Sequence, residues 1–266
     1  VGYCDNCMLM EFYKYEGAGN DFIIIDDRTH SFPKTDFQFV KQLCDRHFGI
    51  GGDGLMLLQL EEDYDFKMVY YNSDGNFSSM CGNGGRCIVQ FAHVLGLIGN
   101  NCKFVAVDGP HEAKVISNGL ISLQMIDVEF IEKINDTSVL MDTGSPHFVK
   151  MVDDLYQMDL ISEGRRIRYN DRFNDEGVNV NFVQMINDEL HIRTYERGVE
   201  DETLACGTGV TAAALAMAFW GNPNATIEIK AVGGDLNVVF EKYKSGFRNI
   251  WKTGPATFVF KGTIER

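Results

Sequence analysis

Two cysteines in this chain share one setting. Cys81-Gly82-Asn83-Gly84 opens a segment that closes at Gly96, and Cys206-Gly207-Thr208-Gly209 opens one that closes at Gly221, the closing glycine falling at the sixteenth position each time. The residues between are helix-compatible, with Ile88, Phe91, Ala92 and Leu95 in one copy and Ala213, Leu215, Ala216 and Phe219 in the other. A cysteine at the start of a helix meets unpaired backbone N–H groups and a partial positive charge. That end can hold a carboxylate and favours a thiolate, so the spacing predicts a thiol lowered toward neutrality. Two such thiols, one deprotonated and one protonated, flanking a carbon that bears a carboxylate, would invert a stereocentre. One takes the proton from one face and the other delivers a proton to the opposite face. The helix ends would also stabilise charge spreading into the carboxylate. The alternative, chance recurrence of a short motif, has to explain the matched distance to the closing glycine as well.

The elements that must position these thiols read as a repeated plan. A β-rich run, Phe22 to Ile25, follows the turn signal Gly17-Ala18-Gly19-Asn20. Asp36 reads as an N-cap, followed at helical spacing by Phe37, Val40, Leu43, Cys44 and His47. Strands are expected over 55–60 and 66–71, then a helix over 84–95 and short strands over 104–107, 113–116 and 120–126. In the second half, strands are expected over 139–141 and 148–152, a helix over 153–161, and strands over 179–185 and 191–195 paired across Asn187-Asp188. An Ala-rich helix over 208–219 and late strands over 226–230, 236–240 and 257–260 follow. Turns, rather than regular helices, link most strands, which favours α+β with antiparallel sheets over a doubly wound parallel fold. The repeat divides the chain into halves at 10–128 and 129–257, with the last strand 258–266 a candidate addition to the first half. Residues 1–9 read as a disordered extension rather than half a zinc site, because Cys4-Asp5-Asn6-Cys7 has no second ligand pair at a useful spacing.

Composition narrows the chemistry. The 266 residues carry 24 Lys plus Arg against 38 Asp plus Glu, a net charge of −14, which argues against gripping nucleic acid. The nearest basic run, Arg165-Arg166-Ile167-Arg168, reads as a solvated helix end. No apolar stretch is long enough to span a bilayer and no secretory signal is evident, so no membrane partner and a cytoplasmic location are expected. Seven cysteines, an odd number in a long chain, favour reduced thiols over a disulfide framework. Cys44, Cys87 and Cys102 lie in apolar contexts and read as inert core thiols; His47 and His147 read equally well as structural or functional. Gly49-Ile50-Gly51-Gly52-Asp53-Gly54 fits a dinucleotide fingerprint, but it follows a helix and precedes a strand, the reverse of what that fold needs. No cofactor and no metal are expected.

The segments together resemble the diaminopimelate epimerase family from about Met10 onward. The carriers are Lys14-Tyr15-Glu16-Gly17-Ala18-Gly19-Asn20-Asp21-Phe22, Arg46-His47-Phe48-Gly49-Ile50-Gly51-Gly52-Asp53-Gly54, Asn72-Ser73-Asp74-Gly75 and Met80-Cys81-Gly82-Asn83-Gly84-Gly85-Arg86-Cys87. They continue through Gly144-Ser145-Pro146-His147, Val178-Asn179, Tyr195-Glu196-Arg197-Gly198 and Glu202-Thr203-Leu204-Ala205-Cys206-Gly207-Thr208-Gly209. The resemblance implies two pseudo-symmetric α+β domains, each a barrel-like, mostly antiparallel sheet around a central helix. It implies cofactor-independent conversion of LL-2,6-diaminopimelate to the meso isomer, in lysine and peptidoglycan precursor biosynthesis, by a homodimer. Residue by residue it makes Cys81 and Cys206 the catalytic thiols. It places the amides of Gly82, Asn83, Gly207 and Thr208 on the reacting carboxylate, Glu196 and Asn20 around the reacting ammonium, and Asn72, Asn179 and Arg197 on the distal amino-acid end. His147 takes a supporting role. Ser145, where many members have Asn, and the loop Asn76-Phe77-Ser78-Ser79 depart from the family pattern.

Rival readings stay open at this level. Proline-type racemases also use two cysteines, whereas phenazine-type isomerases share the scaffold without the pair. The Glu196-Arg197 pair with Asn72 and Asn179 favours a long bis-amino acid over proline. A thiol redox sensor pairing Cys81 with Cys206 is a different class.

Overall fold

The computed structural model describes residues 9 to 265; the Cys4-x-x-Cys7 motif and nearly all of the expected extension lie outside them. In chain order the elements are β1 Leu9–Gly17, β2 Asn20–Asp26, α1 Phe37–Cys44, β3 Gly54–Glu61, β4 Tyr64–Asn72, α2 Gly82–Val94, β5 Asn101–Ala106, β6 Gly109–Ser117 and β7 Leu120–Gln124. Then come β8 Glu132–Asn135, β9 Ser138–Asp142, β10 Pro146–Met151, α3 Leu160–Arg168, β11 Asn179–Ile186, β12 Glu189–Glu196, β13 Asp201–Thr203, α4 Gly207–Phe219, β14 Thr226–Ala231, β15 Gly234–Tyr243, β16 Gly246–Pro255 and β17 Thr257–Glu265. The chain divides into two compact units, one running to Ile121 and including the return strand from Ala256, the other Ser122–Pro255.

Within the first unit, β17 pairs antiparallel with β1 and β1 with β2; β2 runs parallel to β3, β3 antiparallel to β4, β4 parallel to β5, and β5 antiparallel to β6. Within the second, β8 pairs antiparallel with β9 and β9 with β10; β10 runs parallel to β11, β11 antiparallel to β12, β12 parallel to β14, and β14 antiparallel to β15. The two sequences of pairings are identical. Each parallel pair is a crossover carrying a helix: α1 and α3 at the first, α2 and α4 at the second. The internal repeat therefore extends from two short motifs to whole units. The fold is α+β, with antiparallel pairs dominant and two parallel crossovers per unit.

Helices α2 and α4 are the cores of their units. Residues 83–92 of α2 and 209–218 of α4 are buried, and strands pack around each of them. Gly84 shows how tightly: a Cβ there would stand 3.2 Å from the Met56 sulfur and 3.4 Å from the Phe22 ring. The closing glycine of each repeat is the left-handed residue of a Schellman cap. Gly96 has φ +70° and Gly221 φ +103°. Gly96 N–H donates to His93 O at 3.0 Å and Leu97 N–H to Ala92 O at 3.0 Å; Gly221 N–H donates to Ala218 O at 3.3 Å and Asn222 N–H to Met217 O at 3.0 Å. That backbone requirement is why a glycine stands at the sixteenth position of both copies.

Some expectations are corrected. The helix expected over 153–161 lies at 160–168, because Asp159 is its N-cap and accepts from Ser162 N–H at 3.1 Å. The basic run is therefore the last turn of α3, where cations complement the helix dipole. Arg168 is not solvated: its Nη1 donates to Phe173 O at 3.0 Å and its Nε lies 3.4 Å from Glu200. Asp36 caps α1 as expected, donated to by Phe39 N–H at 3.0 Å. That helix ends at Cys44 and leaves His47 outside it, exposed.

Candidate active site

Each unit sets a cysteine at the N-cap of its buried helix. Cys81 has φ −81° and ψ 126°, Cys206 φ −97° and ψ 113°, extended backbone that aims the first helical amides outward. The intrahelical ladder begins with Gly85 N–H to Cys81 O at 2.7 Å and Val210 N–H to Cys206 O at 2.9 Å. The helix ladders use none of the amides of residues 82–84 or 207–209; Gly209 N–H faces the Cys206 sulfur itself, and the others suit an anion.

In the first unit the α2 end is tied to an amide chain. Asn83, buried, donates through Nδ2 to Asn20 Oδ1 at 2.8 Å, and Asn20 donates through Nδ2 to Asp53 Oδ2 at 2.8 Å. Asp53 accepts from Arg46 Nη2 at 2.8 Å. The same guanidinium makes a forked pair with Asp21, at 2.6 and 3.1 Å. Lys14, buried, sits 2.7 Å from Asp21 and also donates to Gly51 O. Burial works against the Asp21 charge, yet hydrogen bonds from Arg46 and Lys14 hold its carboxyl below the ordinary range. The glycine-rich segment rejected as a nucleotide fingerprint thus supplies Gly51 and Asp53, with Arg46 just ahead of it, to a charge network that sets Asn20. Asn72 ends β4 and is exposed, its backbone closing the turn to Asn76.

In the second unit the α4 end is crowded with side chains. Thr208 Oγ1 lies 3.4 Å from Cys206 Sγ, 2.8 Å from His147 Nε2 and 3.3 Å from Ser145 Oγ. Ser145 Oγ is 3.0 Å from His147 Nε2 and accepts from Asn179 Nδ2 at 3.1 Å. Asn179 Oδ1 accepts from Arg197 N–H at 2.9 Å, and Arg197 Nη1 donates to Glu176 O at 2.9 Å. Glu196 ends β12 and accepts from Thr203 Oγ1 at 2.8 Å; burial pushes its carboxyl above the ordinary value, against that hydrogen bond. The short hairpin β12–β13, pinned by Arg193 on Glu202 at 2.7 Å, fixes Thr203 for that contact. Ser145 reaches its neighbours directly, without a longer side chain.

The electrostatics correct one expectation and decide another. Cys206 is not lowered toward neutrality: burial first, and the Glu196 charge second, push its thiol up to about 11, while the Thr208 hydroxyl and Gly209 N–H favour the thiolate. Desolvation outweighs the helix end, so Cys206 rests as a thiol. His147 is fully buried and held down to about 3 by burial and by the nearby Arg197 charge, against a hydrogen bond from Asn181. It is a neutral, structural hydrogen-bonding ring rather than a proton carrier near neutral pH. Cys44 and Cys102 are buried and pushed up to about 12, and burial drives Cys87 higher still, as inert core thiols should be. Sequence reasoning missed Asn181, whose Nδ2 donates to His147 Nδ1 at 3.0 Å. The signal was present: Asn179 and Asn181 are two apart on a strand and so share a face.

The architecture places the chain in a known fold class first. A phenazine biosynthesis protein of the PhzF family from Bacillus anthracis superposes with a TM-score of 0.71 at 14% identity, over 97% of this chain and 99% of that one. A hydroxyproline epimerase from Agrobacterium vitis superposes with a TM-score of 0.67 at 13% identity, over 97% and 92%. This is the two-unit fold with a helix-centred sheet in each unit. Sequence then separates the chain within that class. The diaminopimelate epimerase family model matches residues 12–135 and 139–259. A diaminopimelate epimerase of Flavobacterium psychrophilum is 53% identical, covering 96% of this chain and all of the relative, and one of Chlorobaculum tepidum is 43% identical over 93% and 98%. The chain belongs to the diaminopimelate epimerase family.

Proposed function

We propose that this protein epimerises LL-2,6-diaminopimelate to the meso isomer with Cys81 and Cys206 as its acid–base pair, without a cofactor, serving lysine and peptidoglycan precursor synthesis. The observation that carries the reading is the duplicated device, a cysteine on extended backbone at the end of a buried helix whose first amides stand outside the helical ladder. Inversion needs a base and an acid acting on opposite faces of one carbon, and two copies of one device supply them. A thiolate removes the α-proton, the electron pair spreads into the carboxylate, and the other thiol delivers a proton to the opposite face. The helix-end amides of Gly82, Asn83, Gly207 and Thr208 suit the carboxylate as its charge grows. The half-buried Glu196 carboxylate and Asn20 suit the reacting ammonium. Asn72, Asn179 and Arg197 suit the distal end, where a guanidinium can bind a carboxylate through two parallel hydrogen bonds. His147 supports the Cys206 side through Thr208. The family supports a cytoplasmic homodimer as the working form.

The test follows LL-diaminopimelate by proton NMR with the reduced protein, with proline in parallel. Appearance of the meso isomer is expected, and it should vanish in Cys81→Ala and in Cys206→Ala with the fold intact. Full activity in either variant removes the two-thiol scheme, and turnover of proline alone moves the protein to the racemases. Arg197→Ala is expected to raise KM far more than it lowers kcat; an unchanged KM would sink its role.

A further inference from the structure

Behind Cys206 the hydrogen bonds run in one direction. Phe148 O can only accept, and it takes Asn181 Nδ2 at 3.3 Å. Thr194 Oγ1 donates to Asn181 Oδ1 at 3.0 Å. These two contacts fix which way the buried Asn181 amide points, so Nδ2 is the end that meets His147 Nδ1 at 3.0 Å. A ring nitrogen that accepts there leaves the imidazole proton on Nε2. Nε2–H then donates to Thr208 Oγ1 at 2.8 Å. The threonine hydroxyl cannot turn its own proton back on a ring nitrogen that already carries one. Among the described residues two acceptors remain for it, Cys206 Sγ at 3.4 Å and Ser145 Oγ at 3.3 Å. Ser145 already receives Asn179 Nδ2. As soon as the sulfur is charged it is the stronger acceptor. The geometry is guarded at its base: a Cβ on Gly209 would stand 2.3 Å from Asn181 Oδ1, so only glycine fits beneath the amide.

We propose that Asn181 and Thr194 are positioning residues of the Cys206 thiol, setting the His147 tautomer so that the Thr208 hydroxyl always has a proton to donate to the sulfur. This rests on Cys206 being a reacting thiol, as proposed above. The relay makes Cys206 ionisable on demand inside a site whose burial and whose Glu196 charge both oppose it.

The test is the rate of alkylation of Cys206 by iodoacetamide at one fixed pH, read by peptide mass spectrometry, with Cys81 in the same molecule as the internal control. Thr208→Val and Asn181→Leu should slow Cys206 roughly tenfold or more, the loss of a hydrogen bond to a charged group, and leave Cys81 unchanged. Thr208→Ser should restore the rate. Asn181→Asp, whose carboxylate would draw the ring proton to Nδ1, should slow Cys206 as Leu does. A merely structural role would loosen the packing and speed labelling, the opposite sign. Equal or faster labelling of Cys206 in folded Thr208→Val overturns the relay, and the Val–Ser pair decides alone if Asn181→Leu does not fold. Epimerisation of diaminopimelate by the wild type separates the two claims. Slowed labelling in a protein with no such activity would leave the relay and sink the function, whereas normal turnover with unchanged labelling in Thr208→Val would sink the relay only.

Discussion

His147 gives a prediction whose size follows from its surroundings. Its ring is fully buried, accepts from Asn181, lies against Thr208 and Ser145, and is held down to about 3. In the unfolded chain the same ring takes a proton near pH ~6.5. Below that value the unfolded state binds a proton that the folded state refuses, so stability falls as pH drops, across the window from about 6.5 down to about 3. Each unit of that gap is about 1.4 kcal/mol, so moving from about pH 7 to about pH 5 should cost the protein about 2 kcal/mol through this one ring. The assay is urea unfolding of the wild type and of His147→Gln at both pH values. Carboxylates titrate in both proteins and cancel in the comparison. The wild type should lose about 2 kcal/mol more than the variant. Equal losses would mean that His147 takes up a proton in the folded state, and the neutral, tautomer-fixed ring would have to be abandoned.

Two further outcomes follow from the network and the caps. Asp53→Ala leaves Asn20 Nδ2 without its acceptor and Arg46 with one partner fewer, so KM for diaminopimelate should rise severalfold while Cys81 alkylation stays unchanged; an unaltered KM would detach Asn20 from substrate binding. Gly96→Ala and Gly221→Ala force a side chain into the left-handed cap and should each cost about 1 kcal/mol in chemical denaturation, with turnover preserved.

Much of the framework around the two cysteines was legible because its signals are local. The cysteine caps, the Asp36 cap and the closing glycines are each dictated by backbone geometry within one helical turn. The hairpin at Asn187-Asp188 was legible for the same reason, both residues taking positive φ, 51° and 65°, as a tight two-residue turn demands. What was missed depends on partners beyond a single turn of chain. The β1 strand hides behind Lys14, a charge in an alternating segment that is buried against Asp21 and the Gly51 carbonyl. The β16 strand hides behind Arg248 and Asn249, and pairs with β15 through a register shift. The expected helix at 153–161 failed because Leu155 is a core residue outside any helix, while the arginine-rich stretch beyond Asp159 is the helix. The state of Cys206 could not be read from its motif, since the helix end is a local property and the burial that overrides it is not.

In the proposed reaction one thiol takes the proton and a different thiol returns one. This scheme is tested most directly by running LL-diaminopimelate in D2O with wild-type protein and reading deuterium at the α-carbon of product and of recovered substrate in the first few per cent of turnover. Two bases predict deuterium in essentially every molecule of product and almost none in the remaining substrate, because the thiol that delivers has exchanged with solvent and the thiol that abstracts returns what it took. Substrate labelled as fast as product forms, or product that keeps the original proton, would mean that a single group works both faces, and the paired-thiol account would be wrong.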